Sequence, residues 1–280
     1  MLVRLPKYLK KSIINTEKTH QVRKILKKNC LNTVCENARC PNKNECYSNR
    51  TATFLIMGNY CTRNCKYCNI SCNIPTSLDK NEPLHVAKAV KDLDLKYAVI
   101  TSVTRDDLED GGAEHFANCI CEIRKLSPDT KIEILTPDFK NKKESLDKII
   151  LACPEVFNHN IETVRDIFKT ARPQGNYDNS LSVLEYIKKN SSITTKSGLM
   201  IGLGETYEQI EETLQDLHNV GCDILTIGQY IQPSKQHLPV AKYYELEEYE
   251  TLKQMAKNIG FKNYQIGPLV RSSYNAAQLI

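Results

Sequence analysis

The residues most able to do chemistry are cysteines, in two closely spaced triplets. The first is Cys61-Thr-Arg-Asn-Cys65-Lys-Tyr-Cys68, a C-x3-C-x2-C loop with the aromatic Tyr67 ahead of its last cysteine. Three thiolates on one short loop can hold three irons of a cubane [4Fe–4S] cluster, which leaves the fourth iron open to a substrate or cofactor. A structural zinc site wants four closed ligands, commonly from two CxxC pairs, and suits this loop less well. The second triplet is Cys35, Cys40 and Cys46, spaced C-x4-C-x5-C in a polar stretch rich in Asn and Glu. It needs a metal centre of its own and one more ligand, which spacing alone does not name. Cysteines used as small apolar side chains would not gather in so polar a segment.

The chain has 280 residues and 12 cysteines, seven of them between Cys35 and Cys72. Met1–Lys11 is Lys-rich and has neither the apolar run nor the small-residue cleavage site of a secretory signal. Thiols clustered in a chain without an export pattern point to metal ligation in a reducing compartment, and the cytoplasm is expected. Cys30, Cys72, Cys119, Cys121, Cys153 and Cys222 read as structural, with Cys72 an incidental extension of the loop. Apolar residues make up 41% and charged residues 25%, which excludes wholesale disorder. No apolar run is long enough to span a bilayer. The net charge of +5 is uneven, with +8 in the first 30 residues and −3 in the other 250. Such a basic arm docks an acidic partner or is a solvated, loosely ordered leader. No aromatic residues interleave with it as a nucleic-acid stacking platform.

The elements that must position the cysteines follow from residue 50 onward. Short apolar, β-branched runs predict strands at 52–57, 97–102, 131–136, 155–160, 198–203 and 224–230. Amphipathic stretches predict helices at 83–94, 114–126, 142–152, 179–190, 206–220 and 245–259. Thr206 with Gln209 reads as a capping box and Gly221 as the residue closing that helix, while Pro83 suits a helix start. Six β–α units in series argue for a parallel sheet curled into a barrel or partial barrel, with its chemistry at the C-terminal strand ends. The cluster loop, Thr101–Asp107, Thr136–Asp138, Asn158–Glu162, Gly202–Thr206 and Gln229–Ser234 all fall there. His159 reads as a ligand, an acid–base group or a hydrogen-bonded core histidine. Asp106, Asp107, Glu109 and Asp110 read as an acidic site or, by preference, a solvated helix start. Arg172 is a candidate carboxylate clamp.

The C-x3-C-x2-C loop resembles the signature of the radical S-adenosylmethionine (SAM) enzymes. With TVCENARCPNKNEC, VFNHNIETV and the terminal RSSY added, the chain resembles the lipoyl synthase family nearly end to end. The resemblance implies a partial (β/α)6 TIM-like barrel of the radical SAM type, with N-terminal and C-terminal extensions carrying an auxiliary iron–sulfur cluster. It divides the chain into 1–50 (basic arm and auxiliary cysteines), 51–262 (barrel) and 263–280 (RSSY segment). It implies two [4Fe–4S] clusters and SAM, with SAM bound at the cluster of Cys61, Cys65 and Cys68. The auxiliary cluster would sit on Cys35, Cys40, Cys46 and Ser273, with Ser272 as the alternative serine. That cluster would be consumed as donor of two sulfurs to C6 and C8 of an octanoyl-lysine. By the same analogy Asn160, Glu162 and Arg172 are the SAM contacts. The implied partners are octanoylated carrier domains of 2-oxo-acid dehydrogenase complexes, the glycine-cleavage H protein, and a donor such as flavodoxin or ferredoxin, with no nucleic acid and no membrane. The rivals are a biotin-synthase-like sulfur-inserting enzyme, a tRNA-modifying radical enzyme and a zinc-binding interaction protein.

Overall fold

The computed structural model describes residues 5–11 and 16–280, so Arg4 of the basic arm lies outside the described residues. The chain separates into two compact units. One contains residues 16–63 and 69–158; the other contains 5–11, 64–68 and 159–280.

In the first unit, α1 (Glu17–Lys28) begins at a reciprocal cap between Thr16 and Thr19. Thr19, Val22 and Leu26, at i, i+3 and i+7, form its buried face, and Lys18, Lys24, Lys27 and Lys28 stay exposed. This part of the basic arm is therefore a packed helix, not a loose leader. Next come β1 (Asn32–Thr33) and two short helices, α2 (Val34–Asn37) and α3 (Lys43–Ser48). Strand β2 (Thr53–Ile56) is buried along its whole length. Two-residue strands β3 (Tyr60–Cys61) and β4 (Ser71–Cys72) pair in parallel, setting Cys61 opposite Cys72. The alternation then runs α4 (Glu82–Asp92), β5 (Tyr97–Ser102), α5 (Ala113–Leu126), β6 (Lys131–Leu135), α6 (Lys143–Ala152) and β7 (Val156–Asn158). Pro83 lies in the first turn of α4, as its missing N–H favours. Strand β1 is antiparallel to β2, and β2, β5, β6 and β7 lie side by side in parallel.

The second unit holds α7 (Arg165–Ala171), α8 (Tyr177–Asn190), β8 (Thr194–Ile201), α9 (Tyr207–Asn219), β9 (Ile224–Gln229), α10 (Leu246–Ile259) and β10 (Asn263–Gly267). Strands β8, β9 and β10 are parallel neighbours. The capping box of Thr206 and Gln209 opens α9, and Gly221 follows it at φ +80°, the left-handed conformation that closes a helix. Apolar patterning missed three features. Strand β8 begins four residues early because Thr195, Lys196 and Ser197 are buried polar residues. Strand β10 is only half-buried, and α7 buries only Phe168 and Ala171. Among the described residues no helix is long and apolar enough to cross a membrane.

Candidate functional site

The first unit fixes the loop of Cys61 from both sides. After β2 the chain turns through Met57 (φ +66°) and Gly58 (φ +94°). The Met57 N–H donates to Glu82 Oε2 (2.8 Å), and its carbonyl accepts from Arg105 Nη1 (3.2 Å). Glu82 is itself held by His115 Nε2 at 2.7 Å. Gly112 leaves room for this turn, since a Cβ there would lie 2.4 Å from Met57 Sδ. Beyond the turn, Cys61 Sγ accepts the amides of Arg63 (3.4 Å) and Thr104 (3.3 Å). Thr62 donates through both its amide (3.1 Å) and its hydroxyl (3.0 Å) to the carbonyl of Thr104. Arg63 is 7% exposed and grips Asp106 and Asp138 with four contacts of 2.6–2.8 Å. Burial opposes the Arg63 charge, but the two carboxylates outweigh it and raise its pKa.

These contacts correct the reading of Asp106–Asp110 as a solvated helix start. Asp110 does cap α5, accepting from Gly112 N and Glu114 N at 2.9 Å each. Asp106 and Asp107 are paired instead, with Arg63 and Arg105. Arg63 went unnoticed in the sequence because nothing local marks its partners.

In the second unit, the Lys66 N–H donates to Ala171 O (2.8 Å), and Leu238 N–H donates to Lys66 O (2.9 Å). His237 Nε2 stands 2.9 Å from Cys68 O. Tyr67 has its phenol pKa pushed well up, chiefly by burial and then by Glu162 and Cys65. Burial likewise raises Glu162, against the opposing pull of Arg172, Asn160 and Tyr67. Glu162 adopts φ +72°, unusual for a side-chain-bearing residue, and β8 holds it there. Its N–H donates to Gly198 O (3.0 Å) and its carbonyl accepts from Met200 N (2.8 Å). Asn160 Nδ2 donates to Glu162 Oε1 (3.3 Å), Arg172 Nη1 reaches Asn160 O (3.5 Å), and Ser272 Oγ lies 2.9 Å from Asn160 Oδ1. The structure thus gathers Asn160, Glu162, Arg172 and Ser272, and adds Tyr67, whose only sequence signal was an aromatic ring before Cys68. His159 is a buried core histidine at 1% exposure.

Two glycines make this approach of the C-terminal segment possible. A Cβ at Gly198 would lie 3.1 Å from Asn160 Oδ1 and 3.2 Å from Ser272 Oγ. One at Gly228 would lie 2.1 Å from Val270 O. Among the described residues Ser273 Oγ makes no hydrogen bond.

Cys35, Cys40 and Cys46 share the first unit. Burial pushes the Cys35 thiol up to about 11, with Cys40 adding to the effect. Burial, with Cys35 and Cys40 beside it, takes Cys46 to about 12. The segment is tied by Cys40 N to Cys35 O (3.1 Å), Cys46 N to Asn42 O (2.9 Å) and Thr33 Oγ1 to Tyr47 Oη (2.8 Å). Among the described residues no three His, Cys, Asp or Glu side chains are drawn together as metal ligands. The donor chemistry nonetheless fits iron–sulfur centres: each motif offers three thiols, and two backbone amides already point at Cys61 Sγ.

The sequence pattern of the Radical SAM superfamily matches residues 55–217. Methylornithine synthase shares the fold at a TM-score of 0.56 and 14% identity, over 86% of this chain and 70% of its own. The FeFe-hydrogenase maturase HydG from Carboxydothermus hydrogenoformans does so at 0.54 and 13%, over 95% and 71%. The α/β architecture is thus the partial barrel of the radical SAM enzymes, the class that the cysteine loop defines. Within that class, lipoyl synthase of Caldicellulosiruptor saccharolyticus is 51% identical over 279 residues, 99% of this chain and 98% of that protein. Lipoyl synthases of Bacteroides fragilis (48%, over 99% and 96%) and Coxiella burnetii (47%, over 98% and 88%) match similarly. The chain belongs to the lipoyl synthase family. It is a radical SAM sulfur-inserting enzyme of lipoate biosynthesis that uses SAM and [4Fe–4S] clusters, and its substrate is a lipoyl-carrier protein.

Proposed function

We propose that Cys61, Cys65 and Cys68 hold the SAM-binding cluster, and that Cys35, Cys40, Cys46 and Ser273 hold the auxiliary one. When bound, the first centre supplies the electron that cleaves SAM, and the second supplies sulfur for C6 and C8 of an octanoyl-lysine. The observation that carries this reading is the link from Ser272 of the RSSY segment to Asn160, and from Asn160 to Glu162. It ties the segment carrying the proposed serine ligand to the proposed SAM contacts. Glu162 and the Arg172 fork offer opposite charges to the amino and carboxylate groups of an amino-acid moiety. Ser272 is engaged with Asn160, so the Ser273 oxygen is the one available to iron. A serine oxygen holds iron less firmly than a thiolate, which suits a centre that must be dismantled.

The exposed lysines of α1 offer a docking face for an acidic carrier domain. The carriers we infer are octanoylated domains of 2-oxo-acid dehydrogenase complexes and the glycine-cleavage H protein. A flavodoxin or ferredoxin would reduce the enzyme in the cytoplasm, where free thiols persist.

The test is iron, sulfide and zinc per chain after oxygen-free reconstitution. About eight irons and eight sulfides, falling to about four in Cys35→Ala, with lipoyl formation on an octanoyl-carrier domain, are expected. About four irons in both proteins would overturn the auxiliary centre. Stoichiometric zinc would overturn both centres. Replacing Lys10, Lys11, Lys27 and Lys28 by Glu is expected to weaken carrier binding at low salt, and unchanged affinity would remove the basic arm, α1 included, as the docking face.

A further inference from the structure

The geometry points to Arg63, Asp106 and Asp138 as a clamp that presets the Cys61 loop before metal arrives. This rests on the reading of Cys61 as a cluster ligand. Arg63 lies in the spacer between Cys61 and Cys65, a place where only the cysteines are required to ligate. A spacer residue with no task would be solvated, yet Arg63 is buried, as is Asp138 at 5% exposure. Its guanidinium contacts both oxygens of each carboxylate. The carboxylates follow the C-terminal ends of β5 and β6, so the planar fork fastens the loop to two strands at once. Desolvating a guanidinium and two carboxylates is costly for stability alone, which argues for a positional role.

The clamp and the sulfur share a backbone. The Arg63 amide is one of the two donors to Cys61 Sγ, and its own side chain is what the aspartates grip. The other donor, the Thr104 amide, belongs to a residue whose carbonyl holds Thr62. Thr62 Oγ1 in turn accepts the amide of Asp106 at 3.0 Å. Displacing either aspartate therefore moves the amides that face the sulfur. Such amide–sulfur bonds tune the potential of a thiolate-bound cluster, so these three are positioning residues for the reductive step.

The first experiment uses the metal-free chain, because trypsin cleaves after Arg63 only when the clamp opens. The Arg63–Asn64 bond is expected to resist cleavage in the unsubstituted chain. In Asp138→Asn it should be cut about tenfold faster or more, with no change at Arg124. Arg63→Lys keeps the charge and the cleavage site but loses the fork, and should be cut as fast as Asp138→Asn. Equal protection in all three chains would overturn the clamp. Faster cleavage everywhere in Asp138→Asn, with Asp106→Asn still protected at Arg63, would reduce the cluster to a fold-stabilising contact and also overturn it.

The second experiment reads the metal. In a Cys35→Ala background, which isolates one centre, Arg63→Lys keeps the local charge and should lower the midpoint potential of the remaining cluster by displacing the amides that face its sulfur. An unchanged potential would overturn the tuning role. If the Cys35→Ala chain takes up no iron at all, the ligand reading fails, and the proteolysis alone decides the clamp.

Discussion

The stretch from Cys61 to Arg63 and the segment from Cys35 to Cys46 both belong to the first unit and both present thiols, but different forces hold them. Around Cys61 the anchors are polar side chains at low exposure: the buried Arg63 with Asp138 and the part-exposed Asp106, and Glu82 hydrogen-bonded to His115 at the Met57 turn. Around Cys35–Cys46 the anchors are hydroxyls, backbone turns and the half-exposed pair of Lys43 with Glu36 at 2.7 Å. Helices α2 and α3 have four and six residues, too few to be stable without neighbours. Charge pairs at low exposure hold direction as well as distance, because any tilt leaves a desolvated charge unmatched. Hydroxyl and turn contacts yield at lower cost. One motif is built to return to the same geometry. The other can rearrange, as the sulfur-donating centre proposed there would have to.

The strongest way to separate the two is to act on the yielding motif through its proposed ligand Ser273. Gly228→Ala would drive a Cβ into the carbonyl of Val270 and displace the RSSY segment. Lipoyl formation should fall to background and iron to about four per chain, while SAM cleavage survives. Full iron content with normal product would show that the segment has room to shift without consequence. Next in size is the rigid motif itself. Arg63→Met leaves Asp138 buried and partly uncompensated, and should lower unfolding stability of the metal-free chain by about 3–5 kcal/mol in urea titration. A loss below about 1 kcal/mol would mean that water already reaches the pair. In the yielding motif, Thr33→Val removes the partner of the Tyr47 hydroxyl and should cost about 1–3 kcal/mol by the same titration. If it cost more than Arg63→Met, the ranking of the two motifs would be reversed.

How much of this was legible from sequence depends on range. The cysteine spacings, the Thr206–Gln209 box and the closing Gly221 are local patterns, and a chain read residue by residue displays them. The strand and helix alternation is legible because buried parallel strands are apolar runs of their own. The Arg63 clamp is not legible, since Asp138 lies 75 residues away and no periodicity links them. The Glu82–His115 pair, 33 residues apart on the first turns of two helices, is hidden for the same reason. Asn160 and Glu162 stand out in sequence as strand-end polar residues and Arg172 as a carboxylate clamp, but only the family resemblance joins the three as SAM contacts. Their meeting depends on Gly198, whose role shows only when Ser272 lies against it.

The smallest expected effect exposes the contrast through pH. Asp107 has its pKa lowered, first by its hydrogen bonds from Arg105, the residue that also holds the Met57 carbonyl. A carboxylate whose folded pKa lies below its unfolded value contributes stability above the unfolded value. That contribution fades as pH falls through the folded one. Asp107 is 38% exposed in its side chain, so the contribution at pH 7 is less than about 1 kcal/mol. Asp107→Asn should be slightly less stable than the unsubstituted chain at neutral pH, and the two should converge as pH falls below about 4. A difference that persisted there would assign the effect to packing of Arg105, not to its charge. The Lys43–Glu36 pair beside Cys35–Cys46 has its cation 25% exposed, against 3% for Arg105, and neither Thr33 nor Tyr47 carries a charge to lose in acid. Thr33→Val should therefore show the same deficit across that range, so acid would loosen the Cys61 side of the unit first.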